Sequence, residues 1–316
     1  MTTKIKSILI LSLIVTSVFV QEKNKTSEQP GEESSLVALG TSSNPEILES
    51  SGLARSAFVE NGIWTLNDSG NANKLFLLKH DGKLLAKIEL ERSKNVDWEA
   101  MARFTHDEKS YLIAADVGDN LRQRKNCQLY LVAEPDLSAK IGDKPIEAKL
   151  DPIRIDFAYE DIPKNCEAVA VNEIGKQIWL VEKVYYTSKQ KESPGIYVLP
   201  MTTTRPSKPL VAKRIADFPI RNVTGMDFSP DGKRLIIRNY VNAHLYSREE
   251  GQTWPEVVSK TKPQAVVLPL QRQGEAICFS ADSNSVIVTS ELNRQIIWQV
   301  GLEQYFKSRT KPKSTK

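Results

Sequence analysis

Histidine and cysteine are scarce in this chain, with three of each among 316 residues. Cys127, Cys166 and Cys278 lie far apart and form neither a CxxC pair nor a zinc-ligand spacing. An odd, scattered set reads as buried free thiols rather than as a disulfide framework. No G-x-S-x-G elbow occurs, no cysteine stands with a histidine as nucleophile and base, and no glycine-rich phosphate fingerprint is present. A basic stripe is missing too. The formal net charge is +4, but Lys4, Lys6, Lys307, Arg309, Lys311, Lys313 and Lys316 lie in two terminal segments that carry no acid. Without those seven, 36 basic residues face 39 acidic ones. Nucleic acid is therefore not an expected partner.

Only one long apolar run exists, SILILSLIVTSVFV over residues 7–20, between MTTKIK and QEKNKTSEQPGEESS. At 14 residues it is short for a membrane span. The pattern predicts a signal peptide over 1–20. A retained N-terminal anchor is the alternative, because Val18 and Val20 stand where a cleavage site favours small residues. Residues 21–35 read as a polar linker, and 307–316 as a basic tail without regular structure. Both readings place the body outside the cytoplasm: periplasmic, secreted or membrane-anchored.

Helical periodicity is nearly absent as well. The chain consists of short apolar runs broken by Gly, Asp, Asn, Pro and Lys, the pattern of an all-β protein. Five segments share one opening: SGLA at Ser51, EAMA at Glu99, EAVA at Glu167, TGMD at Thr224 and EAIC at Glu275. The second position is always Gly or Ala and the third Leu, Met, Val or Ile, which suits a crowded innermost strand. Each is followed by a second strand (IWTLND, LIAAD, IWLVEK, LIIRN, VIVTSE) and a third (KLFLL, QLYLV, GIYVL, HLYS, QIIWQV). Pro230-Asp231-Gly232 supplies a hairpin turn in the fourth unit. Fourth strands are LLAKIEL, PIRIDF, LVAKRIADF and AVVLPL, so the last unit lacks one. A strand from SSLVALG or PEILE, just before Ser51, completes it and closes the ring. The expected fold is a single β-propeller over 36–306 with five four-stranded blades. Six is the alternative, because the 68 residues from Glu99 to Glu167 leave room for a degenerate unit.

The hairpin FSPDGKRL resembles those of TolB-like and WD40-like propellers. NDSGN at Asn67, DWEAMA at Asp97 and DVGDN at Asp116 look like exported bacterial β-propellers related to phytase-like and SdiA-regulated proteins. The resemblance spans roughly residues 50–300. It implies an extracytoplasmic location and makes calcium the candidate ion, but it transfers no reaction.

In a propeller the start of each first strand and the end of each second strand lie at the same mouth. The first set is Ser51, Glu99, Glu167, Thr224 and Glu275; the second is Asn67, Asp116, Glu182, Arg238 and Glu291. Asp68, Asp97 and Asp119 are close neighbours. Carboxylates converging at ~6 Å repel by roughly 3 kcal/mol per pair at an effective dielectric near 20. Water, Arg238 or a hard cation offsets this, and calcium suits oxygen-only ligands. The expected metal set is Glu99, Asp116, Glu167 and Glu275. The loops leaving the second strands carry Arg122, Arg124, Lys125, Lys183, Lys189 and Lys191, a basic rim for an anionic or peptide ligand. Asn67, Asp68, Arg122, Arg124 and Lys183 are the candidate ligand contacts. Tyr185, Tyr186 and Trp98 are candidates for an apolar wall, Trp98 being a core candidate as well. His80 and His106 fall at the opposite mouth, which leaves His244 as the histidine near the ring. The first functional reading is a monomeric binding or scaffold protein. The alternative is a metal-assisted hydrolase of phosphate esters, or a carboxylate-based glycosidase, with Glu182 and Glu291 as bases and Arg238 stabilising negative charge.

Overall fold

The computed structural model describes residues 35–186, 193–292 and 294–307. The expected signal segment, nearly all of the linker, the basic residues beyond Lys307, and Lys189 and Lys191 lie outside them.

Strand β1 (Leu36–Thr41) precedes the first repeat. The first unit is β2 (Ser50–Arg55), β3 (Gly62–Asn67), β4 (Lys74–Lys79) and β5 (Leu84–Leu90), paired antiparallel in that order. The second begins with β6 (Trp98–His106), β7 (Lys109–Asp116) and β8 (Cys127–Ala133). The chain then detours as β9 (Ile146–Leu150), which adds in parallel to the edge of β5, and returns as β10 (Ile153–Tyr159) beside β8. The third unit is β11 (Cys166–Asn172), β12 (Gln177–Glu182), β13 (Gly195–Pro200) and β14 (Leu210–Asp217). The fourth is β15 (Val223–Phe228), β16 (Arg234–Asn239), β17 (Asn242–Ser247) and β18 (Gln264–Val267). Helix α1 (Trp254–Lys260) joins its last two strands. Strands β19 (Gly274–Phe279), β20 (Ser285–Ser290) and β21 (Ile296–Gly301) end the series, followed by α2 (Glu303–Lys307).

Strand β1 pairs antiparallel with β21, Leu36 opposite Val300 and Thr41 opposite Ile296, so the last sheet takes its fourth strand from the start of the described chain. The innermost strands neighbour one another in a closed cycle: β2 beside β6, β6 beside β11, β11 beside β15, β15 beside β19, and β19 back against β2. The described strands thus form a β-propeller.

Each sheet is covered on both faces, which is why β3, β19 and β20 are buried throughout rather than at alternate residues. Apolar clusters fill the spaces between neighbouring units; Trp64, Trp98 and Trp179 are wholly buried in them. Trp98 donates its indole N–H to the Lys94 carbonyl at 3.0 Å, so it is core and not a ligand wall. The small residue of each repeat has a steric cause. A Cβ on Gly52 would stand 2.4 Å from the Met101 nitrogen on the next inner strand, and one on Gly225 2.7 Å from the Glu275 carbonyl oxygen. All three cysteines are buried and free.

Candidate functional site

In a propeller the inner strands present backbone, not side chains, to the axis, because their side chains point at the neighbouring blades. Something must break the ladder to turn a side chain inward. All five inner strands carry a register shift at the same place: between Ser50 and Gly52, Trp98 and Ala100, Cys166 and Ala168, Val223 and Gly225, and Gly274 and Ile277. The skipped residues include Ser51, Glu99, Glu167, Thr224 and Glu275, the opening positions of the repeat. A β-bulge re-aims the side chain of its extra residue. Here it gathers one residue per unit at a common mouth.

The acids of this ring feel one another. Burial and then the charges of Glu167, Asp68 and Asp97 hold the Glu99 carboxyl well above its usual range, opposed by Lys183. Burial also raises Glu167, while Lys183 pulls it back. Glu275 is pushed up to about 8 by burial, with Glu167 and Glu291 adding and Lys183 and Arg238 opposing. Glu291 rises to about 7 through burial and the nearby Asp68 charge, against a hydrogen bond from the Ser51 hydroxyl.

Lys183 is the resident cation of this mouth. It sits just past β12, 3% exposed, ion-paired with Glu167 and donating to the Tyr240 hydroxyl at 2.7 Å. Its ammonium lies over the Tyr240 ring at 4.8 Å and the Tyr185 ring at 5.3 Å. Burial works against its charge, yet Glu167 and Glu275 hold it protonated, above the ordinary lysine range. Tyr185 also donates to Asn120 at 2.9 Å, and Tyr186 is exposed.

On the side of the first two units a different group assembles. Asp68, Asp97 and Glu99 each bring one carboxylate oxygen within 4.8 Å of the others. Burial, then Asp68, raises Asp97, and Arg124 opposes. The floor of the cluster is the backbone at Gly118, where a Cβ would stand 2.5 Å from Asp97 Oδ2 and 2.6 Å from Glu99 Oε1. Three carboxylate oxygens on a rigid floor, with no nitrogen or sulfur ligand, fit a hard divalent cation such as calcium, whose remaining positions water or a ligand oxygen would fill.

This grouping differs from the one expected. Of Glu99, Asp116, Glu167 and Glu275, only Glu99 belongs to the three-carboxylate cluster. Glu167 is taken by Lys183. Asp116 is wholly buried, 2.8 Å from the Arg124 guanidinium, and accepts the Asp97 N–H at 3.0 Å. The second ring is corrected too. The residues facing the strand openings are Asn67, Asp116 and Glu182 in the first three units, but Asn239 and Ser290 in the others, opposite Val223 and Gly274. Arg238 stands one residue before Asn239 within β16, where alternation sends its side chain to the other face, whereas Glu291 stands one residue past Ser290, beyond the end of β20. Arg238 is fully buried, donating to the Ala276 carbonyl at 3.0 Å and the Thr289 carbonyl at 3.3 Å. It clamps the fourth unit to the fifth and does not line the mouth. Glu291 keeps a place beside the ring through Ser51 and through Gln273, which donates to it at 2.8 Å.

Asn67 and Glu182 are anchors. Asn67 accepts the Glu49 N–H at 3.2 Å and donates to the Glu46 carbonyl at 2.6 Å. Glu182 accepts the Gly195 N–H at 3.1 Å and lies 3.2 Å from the Arg122 guanidinium. Arg122 and Arg124 therefore bind buried acids of the scaffold instead of forming a basic rim. His244 lies on β17 opposite Ile237 and Ala265, its Nε2 buried and unbonded, away from the ring. Sequence reasoning missed Tyr240 and Asn165, which donates to Glu167 at 3.2 Å, although Asn165 stands two residues before Glu167 as Asp97 does before Glu99, and Tyr240 follows Asn239 as Lys183 follows Glu182. Asp97 carried a signal: it stands two residues before a ring glutamate.

No protein-family model matches the chain, and no curated protein sequence matches it. Among solved structures it is similar to a gluconolactonase from Xanthomonas campestris, at 14% identity and a TM-score of 0.44, with 85% of this chain and 89% of that one covered. It is similar also to the WD40 domain of Pan2 from Neurospora crassa, at 10% identity and a TM-score of 0.41, with 89% and 98% covered. Neither likeness carries a ligand or a reaction over to this chain.

Proposed function

We propose that this protein binds a divalent cation, calcium being the best candidate, at Asp68, Asp97 and Glu99, and offers it to an anionic or peptide ligand at the acidic mouth. The supporting observation is the convergence of three carboxylate oxygens within 4.8 Å. Lys183 and Tyr185 lie within reach of the Glu99 charge, and Tyr240 backs Lys183, so the mouth also offers a fixed positive charge with aromatic faces. The chain acts in this reading as an extracytoplasmic, monomeric binding or scaffold protein, of the exported propeller type that its NDSGN and DWEAMA motifs resemble.

The test is thermal melting of chelated protein with and without calcium. A ligand that binds only the folded state stabilises it by about 2.7 kcal/mol at 100 times its dissociation constant. In a domain of this size that is a rise of roughly 5–10 °C. Asp97→Asn is expected to abolish the rise; an unchanged rise in that variant refutes the assignment.

A second reading, a hydrolase of phosphate esters or glycosides, draws on Glu275 at about 8 and Glu291 at about 7. Carboxyls held near neutrality exchange protons readily at working pH. A bound cation would supply Lewis acidity; Glu275 and Glu291 would carry the protons, while Glu182 and Arg238 hold the scaffold. A panel of phosphate-ester and glycoside substrates, repeated on Glu275→Gln, decides it. Turnover lost in that variant supports the hydrolase, and turnover of nothing leaves the binding role.

A further inference from the structure

The mouth opposite the acidic ring carries the reverse charge on the same two units. Four residues beyond Ser51 and Glu99 stand Arg55 and Arg103, roughly 13 Å along strands that rise about 3.3 Å per residue. The corresponding residues of the other inner strands are Val171, Phe228 and Phe279. Since β2 and β6 are neighbours, the two guanidiniums stand side by side and line one cavity of about 150 Å³. Burial, then the adjacent Arg55 charge, lowers the Arg103 guanidinium from its usual value.

One buried carboxylate orders the chain around both. Glu134, its side chain wholly inaccessible, accepts from the Ser56 hydroxyl at 2.7 Å, the Ala57 N–H at 3.0 Å, the Trp64 indole at 2.9 Å and the Ser110 hydroxyl at 2.6 Å. Ser56 and Ala57 fix the chain directly after Arg55. Ser110 in turn accepts from Arg103 Nε at 2.9 Å. Arg103 stays 3.8 Å from Glu134, with its side chain 11% exposed.

Three acids line the same cavity, and the charges of Glu173 and Asp227 reach Arg103, but none of the three pairs with either arginine within 4.0 Å, and each accepts a backbone N–H. Glu173 accepts the Thr105 N–H at 2.9 Å, Asp227 the Phe279 N–H at 2.8 Å, and Asp231 the Lys233 N–H at 3.0 Å. Among the described residues Arg55 has no ion-pair partner within 4.0 Å. Arg55 also lines a second, larger cavity of about 570 Å³, with Phe58, His80, Ser285 and Gln299 on its walls. Of the acids there, Glu60 is exposed, and Asp282 accepts from the Ser280 hydroxyl and the Asn284 N–H.

We propose that this mouth is a second binding site, for a small organic anion whose terminal carboxylate or phosphate is gripped by Arg55 and Arg103 in the smaller cavity while its body lies in the larger one. Two planar guanidinium forks, that of Arg103 held through Ser110 and that of Arg55 carried by a backbone the network fixes, suit a bidentate oxyanion. The site does not depend on the cation reading of the other mouth.

Chelated full-length protein is titrated with inorganic phosphate and, separately, with succinate, at ionic strength fixed with chloride, and followed by calorimetry and melting. At least one anion is expected to saturate at one per chain and to raise the melting temperature; which one does so identifies the preferred group. Arg55→Gln should weaken that binding at least tenfold and leave the response to calcium unchanged. On the unsubstituted protein, phenylglyoxal should modify Arg55, and the same anion should protect it, as read by mass spectrometry. Binding no tighter than chloride for both anions, binding unaltered in Arg55→Gln, or no protection of Arg55 overturns the proposal.

Discussion

Asp227, next to last in β15, lies near Arg55 and Arg103, and burial lifts its carboxyl to about 7 although both arginines pull it down. A folded-state value above the unfolded one means the native protein binds the extra proton. Its contribution to stability is present below about pH 4 and is lost as pH rises through about 7. The slope reaches at most about 1.4 kcal/mol per pH unit. Denaturant unfolding of chelated protein from pH 5 to 8 should show stability falling, and Asp227→Asn should flatten the fall between pH 5 and 7. An identical slope in the variant contradicts the assignment. At this scale the sequence revealed the ring residues Ser51, Glu99, Glu167, Thr224 and Glu275, because each precedes a small residue whose size is dictated by the next strand's backbone. It misplaced Arg238 and Glu291, because a side-chain period of two makes a slip of one residue invisible until the ladder partners are known. That Glu167 is neutralised by Lys183, and Asp116 by Arg124, is set by loop courses that no local pattern records.

Strands β2, β6, β11, β15 and β19 combine a bulge with a small residue, and the two devices are linked. The small residue lets inner strands touch; the bulge just before it turns one side chain out of the crowd. Repeated hairpins made these elements readable. The turns after β15 and β19 share one construction: Ser280 donates to Asp282 at 2.6 Å, as Ser229 does to Asp231, and each aspartate then accepts the N–H two residues on. Strand β9 was not readable, since its regularity comes from pairing with the distant β5 and it buries no continuous face. Helix α1 did carry a signal, the capping box of Thr253 and Glu256. Closure by β1 gives the prediction at this scale. Removing residues 1–43 strips the β1–β21 ladder and bares the β21 edge. A ladder of about five hydrogen bonds at ~1 kcal/mol each contributes ~5 kcal/mol, which is a fall of 10 °C or more in melting temperature. Light scattering should show association through the open edge. A truncated protein that melts normally as a monomer would exclude β1 as the closing strand.

Across the whole molecule, the first two units carry opposite charges at their two ends: Asp68, Asp97 and Glu99 at one mouth, Arg55 and Arg103 at the other. Lys183 occupies the remaining part of the acidic ring, pairing with Glu167 and opposing the rise that burial imposes on Glu275, which leaves the side of Asp97 and Gly118 for the proposed cation. Diffraction from crystals soaked in terbium, an oxygen-seeking stand-in for calcium, locates the ion directly. A single strong anomalous peak is expected in contact with Asp68, Asp97 and Glu99. A peak elsewhere, or none at these three residues while Lys183 still pairs with Glu167, would contradict the proposed cation site.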